Sequence, residues 1–314
     1  MEVMRYRGHG LRFVDRGSGE PIVFIHNGAV SHRLWDHQIT HFERSHRVVA
    51  PDLLGCGDSD RPNIVYTAED YVEQVERLID HLELERFHLV GCCLGGGVAL
   101  EMARRQPRRL QTLSMITVTT PKVIASGPFG PFERVSKPGS RVRNFLARTC
   151  ETAPGRFAMS QAFCRWQCGP RALEDASFKD HVRRLYRSEG QWRVFCNSSY
   201  EGFAHLDAFS RPEGFPPTLL MWGERNPFLK AWAGRELAAV LKPDRMEFWD
   251  DCGYMLMRER PADTNAVLAE HFAQAASPEQ RLKRATPAID PAAPPRSLLE
   301  PARVRATARE VLPY

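Results

Sequence analysis

The 314-residue sequence predicts an α/β protein with a mostly parallel central sheet that is flanked by helices. Short apolar runs alternate with amphipathic stretches as far as about residue 120, and the same alternation resumes near residue 216. Apolar residues make up 43% of the chain and charged residues 26%, which is ordinary for a globular protein and excludes disordered and collagen-like classes. Strands and helices that alternate in this way are typical of a parallel sheet covered on both faces.

The first half contains four predicted strands and one strongly amphipathic helix. The strands are rich in β-branched residues and are bounded by turn residues. They comprise residues 21–27, 46–52, 86–92 and 110–118. The helix spans residues 67–84, in which apolar side chains recur every three or four positions. Thr67 is its expected N-cap, because acidic residues follow in the first turn.

The second half repeats this alternation with two strands and two helices. The strands are residues 217–224 and 245–251, and the helices are residues 232–241 and 261–276. Because both halves have the pattern of one parallel sheet, we predict that residues 1–122 and 216–276 form a single core domain.

Residues 123–215 separate the two halves and show helical patterns without clear strands. They hold 14 of the chain's 30 aromatic residues. The segment is either an ordinary helical part of the core or an inserted helical cap, whose apolar face would cover a ligand pocket. We adopt the cap as the prediction for residues 123–215. Residues 277–314 are proline-rich and weakly periodic, which predicts an extended or disordered C-terminal extension.

Charge and cysteine content argue against several classes of protein. The net charge is +5, but residues 277–314 carry seven basic and four acidic residues, so the body is nearly neutral and unsuited to nucleic acid. No apolar run reaches the roughly 18 residues of a membrane span and no signal peptide opens the sequence, so we expect a cytoplasmic protein with no membrane partner. The eight cysteines lack zinc-site spacing, and no nucleotide loop is present. We therefore expect reduced thiols, no metal and no cofactor.

Residues 87–103 (FHLVGCCLGGGVALEMA) carry the most informative motif. A predicted strand ends in Gly91-Cys92-Cys93-Leu94-Gly95, and a helix follows. This turn resembles the G-x-S-x-G nucleophile elbow of the α/β-hydrolase family, with Cys93 in the serine position. Four further stretches resemble loops of the same family in the same order; these are residues 24–30, 51–62, 222–227 and 251–261. The resemblance implies the α/β-hydrolase fold with an inserted cap.

The resemblance also implies three catalytic positions, and each differs from the family's residue. Cys93 stands at the position of the serine, Asn226 at that of the aspartate and Tyr254 at that of the histidine. In a Ser-His-Asp site the histidine removes the nucleophile's proton and the acid holds the imidazole in place. Tyrosine, with a pKa of about 10, is a poor base at neutral pH, and asparagine cannot stabilise an imidazolium by charge. The sequence therefore predicts that ordinary triad hydrolysis does not occur.

Other parts of such a site do not depend on these side chains. The resemblance implies an oxyanion hole formed by the backbone N–H groups of Leu94 and Gly28. Cys93 would lie at a helix N-terminus, where we expect it to be partly thiolate. Tyr254 can donate a proton or a hydrogen bond, and we expect Asn226 to orient its hydroxyl.

Four more residues are candidates for the pocket: His26, Asn27, Cys92 and His205. In the family, the histidine at the position of His26 mostly supports the oxyanion loop, and Asn27 replaces the loop's first glycine. His205 lies in the predicted cap, where it either points into the pocket or has an exposed or hydrogen-bonded structural role.

Three functions are compatible with these residues. The first is a non-hydrolytic enzyme of the cyclase, lyase or isomerase type, acting on a hydrophobic carbonyl compound such as a polyketide-like substrate, because a site without activated water spares a reactive intermediate. The second is a hydrolase, thioesterase or acyltransferase that uses Cys93, although nothing obvious activates water for deacylation. The third is an inactive small-molecule-binding protein on a hydrolase fold. We favour the first; the substrate and the oligomeric state stay open.

Overall fold

A single eight-stranded sheet forms the centre of the protein, for which the computed structural model describes residues 1–128, 130–167 and 175–274. The strands are β1 (Glu2–Tyr6), β2 (His9–Arg16), β3 (Pro21–Ile25), β4 (Arg47–Pro51), β5 (Phe87–Cys93), β6 (Leu110–Val118), β7 (Thr218–Gly223) and β8 (Arg245–Trp249). Their order across the sheet is β1-β2-β4-β3-β5-β6-β7-β8. The β1–β2 and β2–β4 pairs are antiparallel and the other five pairs are parallel, which confirms the predicted sheet type.

Helices connect these strands and pack against the sheet. The α-helices are α1 (Asp36–Phe42), α2 (Ala68–His81), α3 (Leu94–Arg105), α4 (Pro121–Ala125), α5 (Gly130–Val135), α6 (Arg141–Glu151), α7 (Ala153–Gln167), α8 (Ala176–Arg187), α9 (Gln191–Asn197), α10 (Ala231–Leu241), α11 (Leu256–Glu259) and α12 (Pro261–Ala273). Short 3₁₀ helices span His32–Trp35, Pro107–Arg109 and Glu201–Ala208. No helix in the described ranges is long and apolar enough to cross a membrane.

Helices α4 to α9 all lie between β6 and β7, where the sequence predicts a cap. The described residues of this stretch contain no strand, and only an isolated bridge joins Ser198 to Tyr66. The division of the chain into a core domain and a cap stays a prediction. The predicted extension, residues 277–314, lies outside the described residues.

The six strands predicted from apolar runs are all present, with ends that differ by at most two residues. β6 is buried along its whole length, and β5 is buried up to its last residue, Cys93. Continuous burial is expected of central parallel strands, because helices cover both faces of the sheet. β1 and β2 were not predicted; they form the antiparallel edge and have only short apolar stretches.

Helix α2 begins where its capping residue predicts. The Thr67 hydroxyl accepts a hydrogen bond from the Asp70 N–H, and the Asp70 carboxylate accepts one from the Thr67 N–H. This reciprocal capping box satisfies backbone donors that the first turn leaves free. The predicted amphipathic face is buried, which places α2 against the sheet.

The connection from β5 to α3 brings three backbone segments unusually close together. A Cβ added to Gly91 would lie 2.1 Å from the Gly95 carbonyl oxygen. A Cβ added to Gly95 would lie 2.3 Å from the carbonyl oxygen of Ile25 in β3. Since both obstacles are backbone atoms, no side-chain rotation relieves the clash, and these positions require glycine for close packing.

We predict that Gly95→Ala lowers the free energy of unfolding by about 3 kcal/mol, because β3 and α3 must separate to admit the methyl group. Gly10→Ala is the matched control, since its added Cβ would lie 3.4 Å from Val3, an ordinary contact. Urea denaturation of both variants measures the difference. Equal stability of the two would contradict the close approach of α3 to β3.

Candidate active site

Cys93 lies at the turn between the end of β5 and the start of α3. Its backbone has a φ of +53° and a ψ of −107°, in a region that side chains other than glycine rarely adopt. Such a conformation costs about 1–3 kcal/mol and persists only where the surrounding structure enforces it. The turn holds the Cys93 side chain at the carboxyl edge of the sheet, as a nucleophile elbow does.

The groups that form hydrogen bonds with the Cys93 thiol carry no net charge. Its Sγ lies 2.9 Å from the Oγ1 of Thr119, the residue that follows β6. The thiol also interacts with the Tyr254 hydroxyl and with the backbone N–H groups of Leu94 and Gly28. Two backbone N–H groups that converge beside a nucleophile position are the arrangement of an oxyanion hole.

The protonation of Cys93 differs from the sequence-based expectation. Burial raises the pKa of the thiol above its ordinary value, although the hydrogen bonds from Thr119, Tyr254, Leu94 and Gly28 oppose this effect. The expected partial thiolate is therefore wrong, because desolvation outweighs the stabilisation that the helix N-terminus and nearby donors provide. Cys93 is a neutral thiol at neutral pH.

Tyr254 lies in the loop after β8 and interacts with the Cys93 thiol through its hydroxyl. Its side chain is buried, and burial together with the nearby thiols raises the pKa of the hydroxyl well above the ordinary value. The Asn27 Nδ2 donates a hydrogen bond of 3.1 Å to the Tyr254 oxygen. Tyr254 is thus a protonated hydrogen-bond donor toward Cys93, and Asn27 orients it.

Asn226 does not orient Tyr254, contrary to the sequence-based expectation. Its Oδ1 accepts hydrogen bonds of 3.0 Å from the backbone N–H groups of Phe228 and Leu229, which hold the amide at the start of its own loop. Its Nδ2 is buried and has no hydrogen-bond partner among the described residues. Asn226 therefore braces the turn after β7.

None of the four further pocket candidates lines the cavity. The buried His26 is held by the Asn27 carbonyl at 2.6 Å and the Leu53 N–H at 3.0 Å, and burial lowers its pKa, so it is a neutral brace of the loop. Cys92 is buried on the other face of β5. His205 lies 2.7 Å from the buried Glu101 carboxylate instead of pointing into the pocket. Only Asn27, through Tyr254, touches the site.

A cavity of about 90 Å³ opens beside Cys93, which is room for several waters or a small ligand group. The core contributes Gly28, Cys93, Thr119, Phe228, Leu229 and Tyr254 to its lining. The predicted cap contributes Ile124, Phe132, Glu133, Phe163, Phe195 and Tyr200. The walls are mostly apolar or aromatic, and none of these described lining residues is a histidine.

Sequence reasoning missed three polar residues of this cavity: Thr119, Glu133 and Tyr200. Thr119 could have been found, because the carboxyl ends of neighbouring parallel strands meet at one edge and Thr119 directly follows β6. Glu133 and Tyr200 lie among helices whose packing no strand register determines. The sequence holds no local signal for them.

Comparison with known proteins agrees with this architecture. A model of the alpha/beta hydrolase family matches residues 22–267, which is most of the chain. The chain belongs to the alpha/beta hydrolase family. The predicted fold class is thereby confirmed, and characterised relatives are hydrolases.

The curated relatives match this alpha/beta hydrolase chain over a limited stretch. A 2-hydroxymuconate semialdehyde hydrolase from Pseudomonas sp. (strain CF600) is 37% identical over 106 residues, which cover 32% of this chain and 38% of the relative. A haloalkane dehalogenase from Agrobacterium fabrum is 36% identical over 107 residues, covering 34% of this chain and 35% of the relative. In both cases the match spans little more than a third of the relative's length.

Solved structures extend the likeness of the fold to almost the whole described chain. An enol-lactonase from Burkholderia xenovorans LB400 aligns with a TM-score of 0.69 at 19% identity, covering 87% of this chain and 100% of that chain. A thermophilic esterase from Thermogutta terrifontis aligns with a TM-score of 0.67 at 21% identity, covering 87% and 97%. These structures share the alpha/beta hydrolase fold with this protein.

The raised pKa of Cys93 generates a prediction for its alkylation. Iodoacetamide reacts with the thiolate, so the rate at Cys93 should rise with a midpoint above the ordinary thiol pKa of about 8.5. Tyr254→Phe removes a hydrogen bond that stabilises the thiolate, so the midpoint should move to still higher pH. Mass spectrometry of Cys93 labelling against pH measures both midpoints.

Tyr66→Phe is the matched control, because the buried Tyr66 hydroxyl donates to the Pro62 carbonyl and lines no part of this cavity. It should leave the Cys93 midpoint unchanged. A midpoint below 8, or equal midpoints for the Tyr254→Phe variant and the wild type, would show that the thiol is activated by some other group.

Proposed function

We propose that this protein is a non-hydrolytic enzyme of the cyclase, lyase or isomerase type that acts on a hydrophobic carbonyl compound. One observation carries the proposal. The thiol at the elbow is surrounded by hydrogen-bond donors that stay neutral, Tyr254 and Thr119, and the described lining of the cavity holds no imidazole. Such a site can bind a carbonyl oxygen but has no group of the kind that activates water in a Ser-His-Asp enzyme.

The proposed mechanism begins with the backbone donors. The carbonyl oxygen of the substrate accepts hydrogen bonds from the N–H groups of Leu94 and Gly28, where negative charge that develops on oxygen is stabilised. The Tyr254 hydroxyl is a third donor, and the bond from Asn27 fixes its direction. These groups stabilise the oxyanion that forms when a nucleophile of the substrate adds to its own carbonyl carbon; the C=O π bond opens as the new bond forms, and the proton of the nucleophile ends on the carbonyl oxygen.

The aromatic residues that line the cavity favour a substrate that undergoes an intramolecular reaction. Phe132, Phe163, Phe195 and Phe228 line the cavity, which favours an apolar substrate group there, such as part of a polyketide-like chain. A substrate that carries both the electrophile and the nucleophile needs orientation and charge stabilisation, which this site offers. Exclusion of water then protects the reactive intermediate.

We also propose that the protein is cytoplasmic and that its partner is a hydrophobic small molecule.

The strained elbow favours one alternative, a hydrolase or acyltransferase that uses Cys93 as the nucleophile. The strain at Cys93 is of the kind that nucleophile elbows store, and two N–H groups already converge on the thiol. A thioester trapped at Cys93 would support this alternative, whereas conversion of a carbonyl ligand without an acyl-enzyme supports the cyclase or lyase. Binding with no conversion at all would indicate a receptor or scaffold.

We predict that the wild type does not hydrolyse p-nitrophenyl acetate and that the triple variant Cys93→Ser, Asn226→Asp, Tyr254→His does. The amide of Asn226 is held through Oδ1, so an aspartate would leave its second oxygen free for a histidine at position 254. The triple variant should exceed the wild type by on the order of a hundredfold. Each single change should gain almost nothing, because triad members act as a unit.

The control is the same triple background with alanine in place of Cys93. This variant keeps the new histidine and aspartate but lacks a nucleophile, so it should be inactive while folding equally well. Steady esterase turnover by the wild type would overturn the non-hydrolytic proposal. A folded but inert Ser/Asp/His variant would contradict the placement of Asn226 and Tyr254 at the triad positions.

A further inference from the structure

The cavity beside Cys93 contains one charged side chain among its described lining residues, Glu133 on α5. The other cap residues of the lining are apolar or aromatic, apart from the Tyr200 hydroxyl. A carboxylate on such a wall is costly to bury unless it is paired or hydrogen-bonded. We therefore expect the Glu133 carboxylate to have an ion-pair or hydrogen-bond partner.

Arg143 on α6 forms an ion pair with Glu133. The Arg143 Nη2 lies 2.7 Å from the Glu133 Oε2, and the Arg143 side chain is only 1% exposed. The guanidinium also donates to the Ser136 and Cys196 carbonyl oxygens at 2.9 and 3.2 Å, and it lies over the Phe132 ring at 4.8 Å. These contacts hold the guanidinium rigidly, so it fixes one oxygen of the carboxylate.

The other side of the Glu133 carboxylate is available to a ligand. The Glu133 side chain is 29% exposed and borders the cavity, and within the described residues no hydrogen bond engages its Oε1. A ligand that covers this oxygen with an apolar surface removes its water without replacing the hydrogen bond, which weakens binding. A ligand with a donor at this point restores that bond.

We propose that Glu133 is a specificity-determining residue, which selects substrates with a hydrogen-bond-donating group, a hydroxyl or an ammonium, away from the reacting carbonyl. The inference deepens the proposed function and rests on it for the position of the carbonyl at Leu94 and Gly28. The substrate class is then an apolar carbonyl compound with a donor at its far end. Sites that hydrogen-bond a substrate group reject analogues that lack it far more strongly than apolar pockets reject an extra methylene.

Hydroxyl and ammonium donors share this chemistry but respond differently to the charge of Glu133. An ammonium gains from the negative charge of the carboxylate. A hydroxyl needs only an acceptor oxygen, which glutamine also provides. The Glu133→Gln variant therefore distinguishes a preference for an ammonium group from a preference for a hydroxyl group.

The experiment uses three series of straight-chain methyl ketones with four to eight methylene groups, which end in methyl, hydroxyl or ammonium. Their dissociation constants are measured from protection of Cys93 against iodoacetamide, a readout that needs no turnover. We expect the best hydroxyl or ammonium ketone to bind the wild type at least tenfold more tightly than the methyl ketone of the same length. Equal binding of all three endings would overturn the proposal.

Three variants locate the preference. In the Glu133→Gln variant, the ammonium ketone should bind no more tightly than the methyl ketone of the same length. The tighter binding of the hydroxyl ketone should fall by less than threefold. The double change Glu133→Leu, Arg143→Met removes both charges, so it leaves no buried guanidinium unpaired, and it should abolish both advantages. Glu213→Gln, at an exposed carboxylate outside the cavity lining, should change nothing.

Retention of the wild-type preference in the double variant would overturn the assignment to Glu133. Failure of the proposed function is a separate result. Ester hydrolysis by the wild type would refute the non-hydrolytic reaction but would leave the order of the dissociation constants unchanged. Loss of the preference for donors would refute this inference while leaving the reaction type untouched.

Discussion

The close approach of backbone at the turn from β5 into α3 is the constraint on which the rest of the site depends. Glycine at positions 91 and 95 lets α3 start directly against β3 and β5, since any Cβ would meet a carbonyl oxygen at little more than 2 Å. This packing enforces the positive φ of Cys93. The same turn brings the N–H groups of Leu94 and Gly28 to the thiol, so the geometry of an oxyanion hole follows from backbone packing alone.

Burial then decides what chemistry this geometry supports. The thiol, the Tyr254 hydroxyl and the His26 imidazole are all desolvated, and in each case burial shifts the pKa toward the neutral form. The hydrogen-bonding groups at Cys93 are uncharged and can polarise a carbonyl oxygen, while the lining of the same cavity also includes the Glu133 carboxylate. Burial disfavours the thiolate form of Cys93. The proposed non-hydrolytic reaction is the activity that such a site supports without a further change.

The sequence predicts well those features that local patterns determine. Five of the six predicted strands, β3 to β7, are recognisable because buried strands are almost continuously apolar, and α2 is recognisable because Thr67 and Asp70 form a capping box. Cys93, Thr119 and Tyr254 come to one edge because the strands that precede them, β5, β6 and β8, run parallel in one sheet. Even so, Thr119 was overlooked, because it belongs to no loop motif.

Other features depend on packing that the sequence does not encode locally. β1 and β2 lie at the partly exposed antiparallel edge, where apolar residues are few. Whether Asn27 or Asn226 reaches Tyr254 depends on the path of two loops. Whether Cys93 is ionised depends on the balance between burial and hydrogen bonds. Glu133 and Tyr200 reach the cavity through helix packing between β6 and β7, which no strand register sets.

The most direct test of the account is the ¹³C NMR signal of an apolar methyl ketone labelled at its carbonyl carbon and bound to the wild type. Hydrogen bonds from Leu94, Gly28 and Tyr254 should polarise the carbonyl, so the bound signal should move downfield of the free ketone and remain that of a trigonal carbon. The Cys93→Ala variant should retain this shift, because the hydrogen bonds come from Leu94, Gly28 and Tyr254 and none comes from the thiol. A signal typical of a tetrahedral carbon would show that Cys93 attacks the carbonyl as a nucleophile, and an unshifted signal would show that the oxyanion hole does not bind it.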